Sequence, residues 1–244
     1  YSTEVGLSLS LIGLVIFSAA IFDAITDPLM GFLSDRFQTR WGRRRPWLLI
    51  GVPIYAIAVW MLLNPSPGAT VYYLGFYYLL LRASTTIFGL PYAAWGMELS
   101  ADYHTRTMIQ SAREKYVMIG LMMASGIVLL SEELWHDNSA SFVLSNFSWV
   151  IVTLLPVTAM LVIWRVPEVQ DFNAPKVSLV NSLKNMYKNK LFFRLLVIEL
   201  LIASGENFRN TLSLFFIQDY IGAASVGRLY VIYFGVGLAA IPIW

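Results

Sequence analysis

The stretch IFDAITDPLMGFLSD, residues 21–35, decides how this chain folds. It lies within an apolar run, residues 9–33, of the length a bilayer requires, since about 20 apolar residues cross the hydrocarbon as a helix. Yet Asp23 and Asp27 stand one helical turn apart in that run, on one face, with Cβ atoms about 5–6 Å apart. An ionised Asp at mid-bilayer costs roughly 2.5–3.5 kcal/mol on insertion scales, and such residues mark ion and substrate paths. Two side by side also repel each other. The pair becomes tolerable if a small cation sits between the carboxylates or if they share a proton. The plainer alternative is a buried carboxylate paired to an arginine.

Composition agrees with a membrane setting. Of 244 residues, 57% are hydrophobic and only 13% charged, against about a quarter charged in soluble domains. There is no cysteine, which excludes disulfides and thiol redox chemistry. The net charge of +2 says less than where the charges fall.

Seven apolar segments follow: residues 9–34, 47–63, 71–97, 117–134, 142–164, 191–217 and 226–244. Each must be helical, because lipid satisfies no open strand edge. Arg36, Arg40, Arg43, Arg44 and Arg45 follow the first segment; Arg106, Arg113 and Lys115 follow the third. Lys176, Lys184, Lys188, Lys190 and Arg194 follow the fifth. The alternate loops, NPSPGAT and SEELWHDNSAS, hold no Lys or Arg, so the basic loops are cytoplasmic and the first span runs inward. Between Pro175 and Lys190, Val180, Leu183 and Tyr187 recur at helical spacing among lysines, which predicts an amphipathic helix on the cytoplasmic membrane surface. The chain opens on YSTEVGLS and closes inside the apolar GLAAIPIW, which leads us to expect a fragment lacking something at both ends.

Depth suggests what joins the acids. Thr86 lies twelve residues above Glu98, and Asp23 twelve above Asp35. At 1.5 Å per residue both stand about 18 Å above the cytoplasmic boundary. Thr86 can lend a hydroxyl oxygen to an ion if the two spans are neighbours, and Thr26, between the acids, another. A lone Thr more often bonds its own helix backbone. Arg82, one turn outward from Thr86, either neutralises Asp23 or binds an anionic group of a substrate. In the sixth span Glu206, Arg209, Asn210 and Ser213 form one polar stripe, as on a helix facing a bundle interior, although Glu206 and Arg209 can also satisfy each other. The aromatics Tyr72, Tyr73, Phe76, Tyr77 and Tyr78 suit an interfacial belt. His104 and His136 fall in loops, and no Ser-His-Asp set, metal-spaced His cluster or phosphate-binding glycine loop is present, which argues against an enzyme.

DAITDPLMGFLSDRFQTRWGRRRPW, from Asp23, resembles the second helix and following loop of the glycoside-pentoside-hexuronide:cation symporters, a branch of the major facilitator superfamily. GLPYAAWGMELSADYHTRT and SAR resemble that family's fourth helix and the loop behind it, and GENFRNTLSLFFIQDYIGA is similar to its seventh helix. The resemblance implies an all-α, polytopic membrane protein of twelve helices in two bundles, of which this chain holds about helices II–VIII. Residues 1–166 would be the N-terminal bundle without helix I, 167–190 the cytoplasmic middle loop, and 191–244 the start of the C-terminal bundle. It also implies an alkali-cation or proton site at Asp23 and Asp27 with Thr86. Arg113 corresponds, with a one-residue gap, to an arginine near the sugar. Gly89 and Ala93 stand where melibiose-carrying members hold the sugar with an aspartate and a tryptophan. The motif GFLSDR implies close helix packing at Gly31 and a cytoplasmic latch through Asp35, Arg36, Arg43 and Arg44.

The expected function is Na+- or H+-coupled symport of a sugar, glycoside or uronide by alternating access, in the cell (inner) membrane. Arg82, Gly89, Arg113, Glu206, Arg209 and Asn210 would line the substrate path. No cofactor beyond the coupling ion, no nucleic acid and a monomer are expected. A lysolipid carrier of the same superfamily and a non-transporting membrane receptor are the alternatives. A fragment with only the start of a second bundle is not expected to transport by itself.

Overall fold

The computed structural model of the chain describes residues 1, 5–133, 139–168, 186–220 and 226–240. Its helices are α1 (Leu9–Arg36), α2 (Arg45–Leu63), α3 (Val71–Glu98), α4 (Tyr103–Glu133), α5 (Ala140–Arg165), α6 (Lys190–Phe215) and α7 (Val226–Ala240), with a π-helical turn at Phe216–Tyr220. Among the described residues the only β pairing is an isolated bridge between Thr39 and Gly42.

Helix starts follow sequence chemistry. Ser8, Thr70 and Ser139 cap α1, α3 and α5 with their hydroxyls, and the Asn189 side chain accepts from Leu191 and Phe192 at the start of α6. α2 has no such cap from Arg44. Its acceptor comes from far along the chain: the Glu168 carboxylate takes the backbone N–H groups of Arg43 and Arg44, both at 2.5 Å. A carboxylate at that end also suits the helix dipole.

α1, α2, α4 and α5 are long and apolar enough to cross a membrane. α3 matches α1 in length, at 28 residues, and carries five tyrosines and Arg82 within it. The fourth predicted span begins earlier than expected. α4 starts at Tyr103, so Arg106, Arg113 and Lys115 sit on a polar helical extension of it and not in a loop. Charged residues hide such an extension from a hydropathy reading while leaving the helix intact. Of the expected surface helix, Val180 and Leu183 lie outside the described residues; residues 186–188 are helical and Tyr187 is exposed.

α2 is central. It packs along α3 on one side and α5 on the other, while α1 lies along α3 and α4 along α7. Its buried side chains include Leu48, Val52, Ala56, Ala58, Val59 and Leu62. Close approach is made at Gly51, where a Cβ would lie 2.8 Å from the Cβ and 3.0 Å from the backbone nitrogen of Phe88. A second close contact brings Gly227 of α7 against the backbone of Leu129 in α4, 2.8 Å from where a Cβ would stand. Gly31 is different: a Cβ there would meet nothing within 4 Å. The expected close packing at Gly31 is therefore not made by the described helices, because Met30 and Ser34, not Gly31, are the residues that α1 buries on that turn. At the C-terminal end of α2, Asn64 donates to the Ser148 hydroxyl at 2.8 Å, Trp60 meets Trp149 edge-on, and Tyr73 donates to the Met61 carbonyl at 2.7 Å.

Candidate functional site: a carboxylate pair between α1 and α3

α1 and α3 lie side by side, and two polar pairs join them at one register. Arg82 donates to Asp23 Oδ2 from Nε at 2.6 Å and also from a terminal nitrogen. One turn further in, Thr86 Oγ1 donates to Asp27 Oδ1 at 2.8 Å. Both pairs span 59 residues, so the i,i+4 spacing on one helix meets the same spacing on the other. That match requires the helices to run in the same direction, as the charge pattern of the loops demands.

Asp23 is 6% exposed and Thr86 7%. Asp23 is only half satisfied: Oδ1 is buried and accepts no hydrogen bond among the described residues. Such an orphaned oxygen is costly and calls for a partner. With the Asp27 carboxylate one turn away and the Thr86 hydroxyl beside it, the donor set is hard oxygen. This suits a small cation, although no group of three or more His, Asp or Glu forms a metal cage among the described residues. Pro28, directly after Asp27, has no N–H to give the carbonyl of Ala24 one turn back, which leaves a further oxygen in the same stretch. Thr26 does not join the pair. Its hydroxyl donates to the Phe22 carbonyl at 3.0 Å, the usual fate of a helical Thr.

The C-terminal ends of the same helices carry a second cluster. Arg44, 3% exposed, bonds Asp35 at 2.7 Å, Glu98 at 2.5 Å and the Ser34 hydroxyl at 2.9 Å. Arg43 reaches Glu98 at 2.7 Å. Burial pushes the Glu98 carboxyl up, but the hydrogen bonds and charges of Arg44 and Arg43 together outweigh it and hold the group below the ordinary glutamate value. Arg36 lies over the Phe32 ring. Next to this cluster, Arg45 donates to the Val166 carbonyl at 2.9 Å and the Trp95 indole to the Pro167 carbonyl at 3.1 Å. Gly42, with φ +112°, leaves room for the Glu168 carboxylate, which a Cβ would meet at 2.0 Å. Asp35, Arg43 and Arg44 thus close within residues 34–98, tied to the end of α5.

The other expected substrate residues are not gathered here. Arg113 is exposed and touches only Gln110, at 3.4 Å, among the bonds seen. A Cβ on Gly89 would meet nothing nearer than the Thr85 methyl at 3.9 Å. On α6, Arg209 bonds Glu206 and, at 3.4 Å, Asn210, while Ser213 lies 3.5 Å from the Tyr230 hydroxyl of α7. Glu206 and Arg209 are both half-exposed and satisfy each other, so the stripe is separate from the α1–α3 site among the described residues. Sequence reasoning missed Glu168 and Ser34, and used Glu98 only to mark depth. Glu98 closes a span opposite an arginine-rich loop, a usable signal; Glu168 is 124 residues from its partner and carried none.

Long apolar helices, joined by the Asp23–Arg82 and Asp27–Thr86 pairs and tied at one end by arginines, define a polytopic membrane protein. The family model described as MFS/sugar transport protein matches residues 1–244, and the chain belongs to that family. It is 32% identical over 132 residues to the inner membrane symporter YicJ of Escherichia coli (strain K12), covering 53% of this chain and 29% of that one. It is 23% identical over 228 residues to the isoprimeverose transporter of Lactiplantibacillus pentosus, covering 89% and 47%. It is 30% identical over 118 residues to the sodium-dependent lysophosphatidylcholine symporter 1 of Gallus gallus, covering 47% and 22%. The chain spans less than half the length of these relatives. It is a multi-pass membrane protein.

Proposed function

We propose that this chain is the cation-binding part of a secondary transporter in the cell (inner) membrane that couples entry of Na+ or H+ to movement of a sugar, glycoside or uronide. The observation that carries this reading is the orphaned Asp23 Oδ1, buried one turn from Asp27 and its Thr86 hydroxyl. A cation accepted by Asp23, Asp27 and Thr86 would satisfy that oxygen and fix α1 against α3. Coupling requires only that the ion bind one state of the carrier more tightly than the other. The ion-bound state is then the one that accepts substrate, and rocking of two bundles exposes the loaded site to the other side. The inner ends of α1–α3, held by Arg44, supply a rigid cytoplasmic edge for that motion.

The sugar half of the proposal draws on the isoprimeverose transporter. A second reading, transport of a lysolipid, draws on the lysophosphatidylcholine symporter. Uptake into proteoliposomes containing the full-length protein separates the two. A panel of neutral glycosides, uronates and lysophosphatidylcholine is offered with and without a Na+ or H+ gradient. Cation-stimulated uptake of a glycoside or uronate is the expected result. Uptake that ignores both gradients overturns the coupling, and selective lysolipid uptake transfers the proposal to the second reading.

A further inference from the structure

We infer that Arg82 is a built-in counter-ion that sets the charge of the Asp23–Asp27 pocket to a single negative charge, and so makes the pocket select one monovalent cation over a divalent one. The inference rests on the cation reading above and adds to it the rule for which ions enter.

The geometry separates neutralising Asp23 from occupying it. A guanidinium and a carboxylate that serve only each other commonly meet fork to fork, two nitrogens on two oxygens. Here both Arg82 nitrogens go to the one oxygen, Oδ2. The other, Oδ1, is left buried and unbonded. Arg82 thus cancels the charge of Asp23 and leaves an oxygen for an ion. Asp27 lies in the field of Arg82 but forms no direct ion pair with it among the described residues; its hydrogen bond is to the neutral Thr86 hydroxyl. Two carboxylates and one guanidinium leave one uncompensated negative charge.

That count decides selectivity. Na+ and Ca2+ are close in size and both accept carboxylate and hydroxyl oxygen, so fit alone distinguishes them poorly. Charge does distinguish them. One Na+ brings the pocket to neutrality. One Ca2+ leaves a net positive charge beside Asp23, which is 6% exposed, and that is costly. The guanidinium also repels whatever ion enters. At about 6 Å and an effective dielectric constant of about 20, that repulsion weakens binding of a monovalent ion about a hundredfold, and of a divalent ion by about the square of that factor. The signature of a counter-ion is therefore unequal gain on its removal.

The test is cation titration of the purified full-length protein without substrate, read by intrinsic tryptophan fluorescence and by the thermal unfolding midpoint, at constant ionic strength. The unmodified protein should respond to Na+ and not to Ca2+. Arg82→Gln should bind Na+ more tightly and gain a response to Ca2+, with the larger change for Ca2+. Arg82→Lys, which keeps the charge, should retain the Na+ preference. Equal changes for the two ions, or none, in a folded Arg82→Gln overturn the inference while leaving the cation site in place. Absence of any Na+ response in the unmodified protein, matching Asp27→Asn, overturns this inference and the Na+ form of the cation reading, while the H+ form is decided by the uptake assay. If Arg82→Gln does not fold, the neutral exchange remains: Asp23→Asn alone brings the pocket to zero charge and should lose Na+ binding, and adding Arg82→Gln should restore it. A folded double variant that binds no better than Asp23→Asn also refutes the counter-ion role.

Discussion

Replacing Arg44 with methionine should be among the most damaging single changes at the C-terminal ends of α1 and α3. The Arg44 side chain is 3% exposed and holds Asp35, Glu98 and Ser34 at once. Breaking a fully buried ion pair by removing one partner costs about 3–5 kcal/mol. The partners here are less buried, with Glu98 31% and Asp35 60% exposed, so water recovers part of that loss and about 2–3 kcal/mol is expected. Asp35→Asn removes an exposed partner and should cost no more than about 1 kcal/mol. Arg44→Lys should fall between the two, since one ammonium cannot reproduce the guanidinium fork. The assay is thermal unfolding of the purified protein in detergent, where about 2–3 kcal/mol corresponds to a midpoint lowered by roughly 5–10 °C. An Arg44→Met midpoint no lower than that of Asp35→Asn would refute the reading of Arg44 as the hub.

Several other outcomes are expected. Asp23→Asn and Asp27→Asn should each abolish cation-stimulated uptake while leaving membrane insertion intact, measured by transport and by surface expression; full accumulation in both variants would sink the cation site. Because the folded Glu98 carboxyl titrates below its ordinary value, its stabilising share is complete above the usual glutamate range, about 4.3, and is lost as pH falls below that range through the folded value. A pH series of unfolding midpoints should show this loss, and Glu98→Gln should flatten it. Gly51→Val should destabilise by about 1–3 kcal/mol or more, because the new side chain meets the backbone of Phe88 and the backbone cannot yield. Trp95→Phe should cost about 1 kcal/mol through the lost bond to the Pro167 carbonyl, read in the same unfolding assay.

Much of the architecture was legible because membrane helices announce themselves. Apolar runs longer than about 18 residues gave the helices, and basic residues gathered near alternate helix ends gave the relative direction of α1 and α3. The acids of α1 were legible for the converse reason: an ionisable group is conspicuous where the solvent is lipid. Depth counting brought Thr86 to the right helix neighbour but placed it level with Asp23, whereas it bonds Asp27, a one-turn error from treating Asp35 and Glu98 as level markers. Arg44 bridges those two residues and tolerates their offset. The α4 extension was missed because hydropathy sees lipid contact, not helicity. Glu168 was missed because a capping acid supplied from another helix end leaves no periodic trace.

The shared register of α1 and α3 makes a ratchet between them forbidding. A slide of one turn in one direction would set Asp23 against Thr86, Asp27 against Leu90 and Arg82 against Ala19. A slide in the other direction would set Asp27 against Arg82 but leave Asp23 facing Tyr78 and Thr86 facing Gly31. Each step of about 5.4 Å leaves at least one carboxylate without its present partner: Asp27 in the first direction, and the buried Asp23 in the second. The two helices are therefore keyed together by their side-chain pairs, and sliding along their axes breaks those pairs. On the proposed transport cycle, α1 and α3 would then move as one unit, and the seam that opens would lie along their other neighbours.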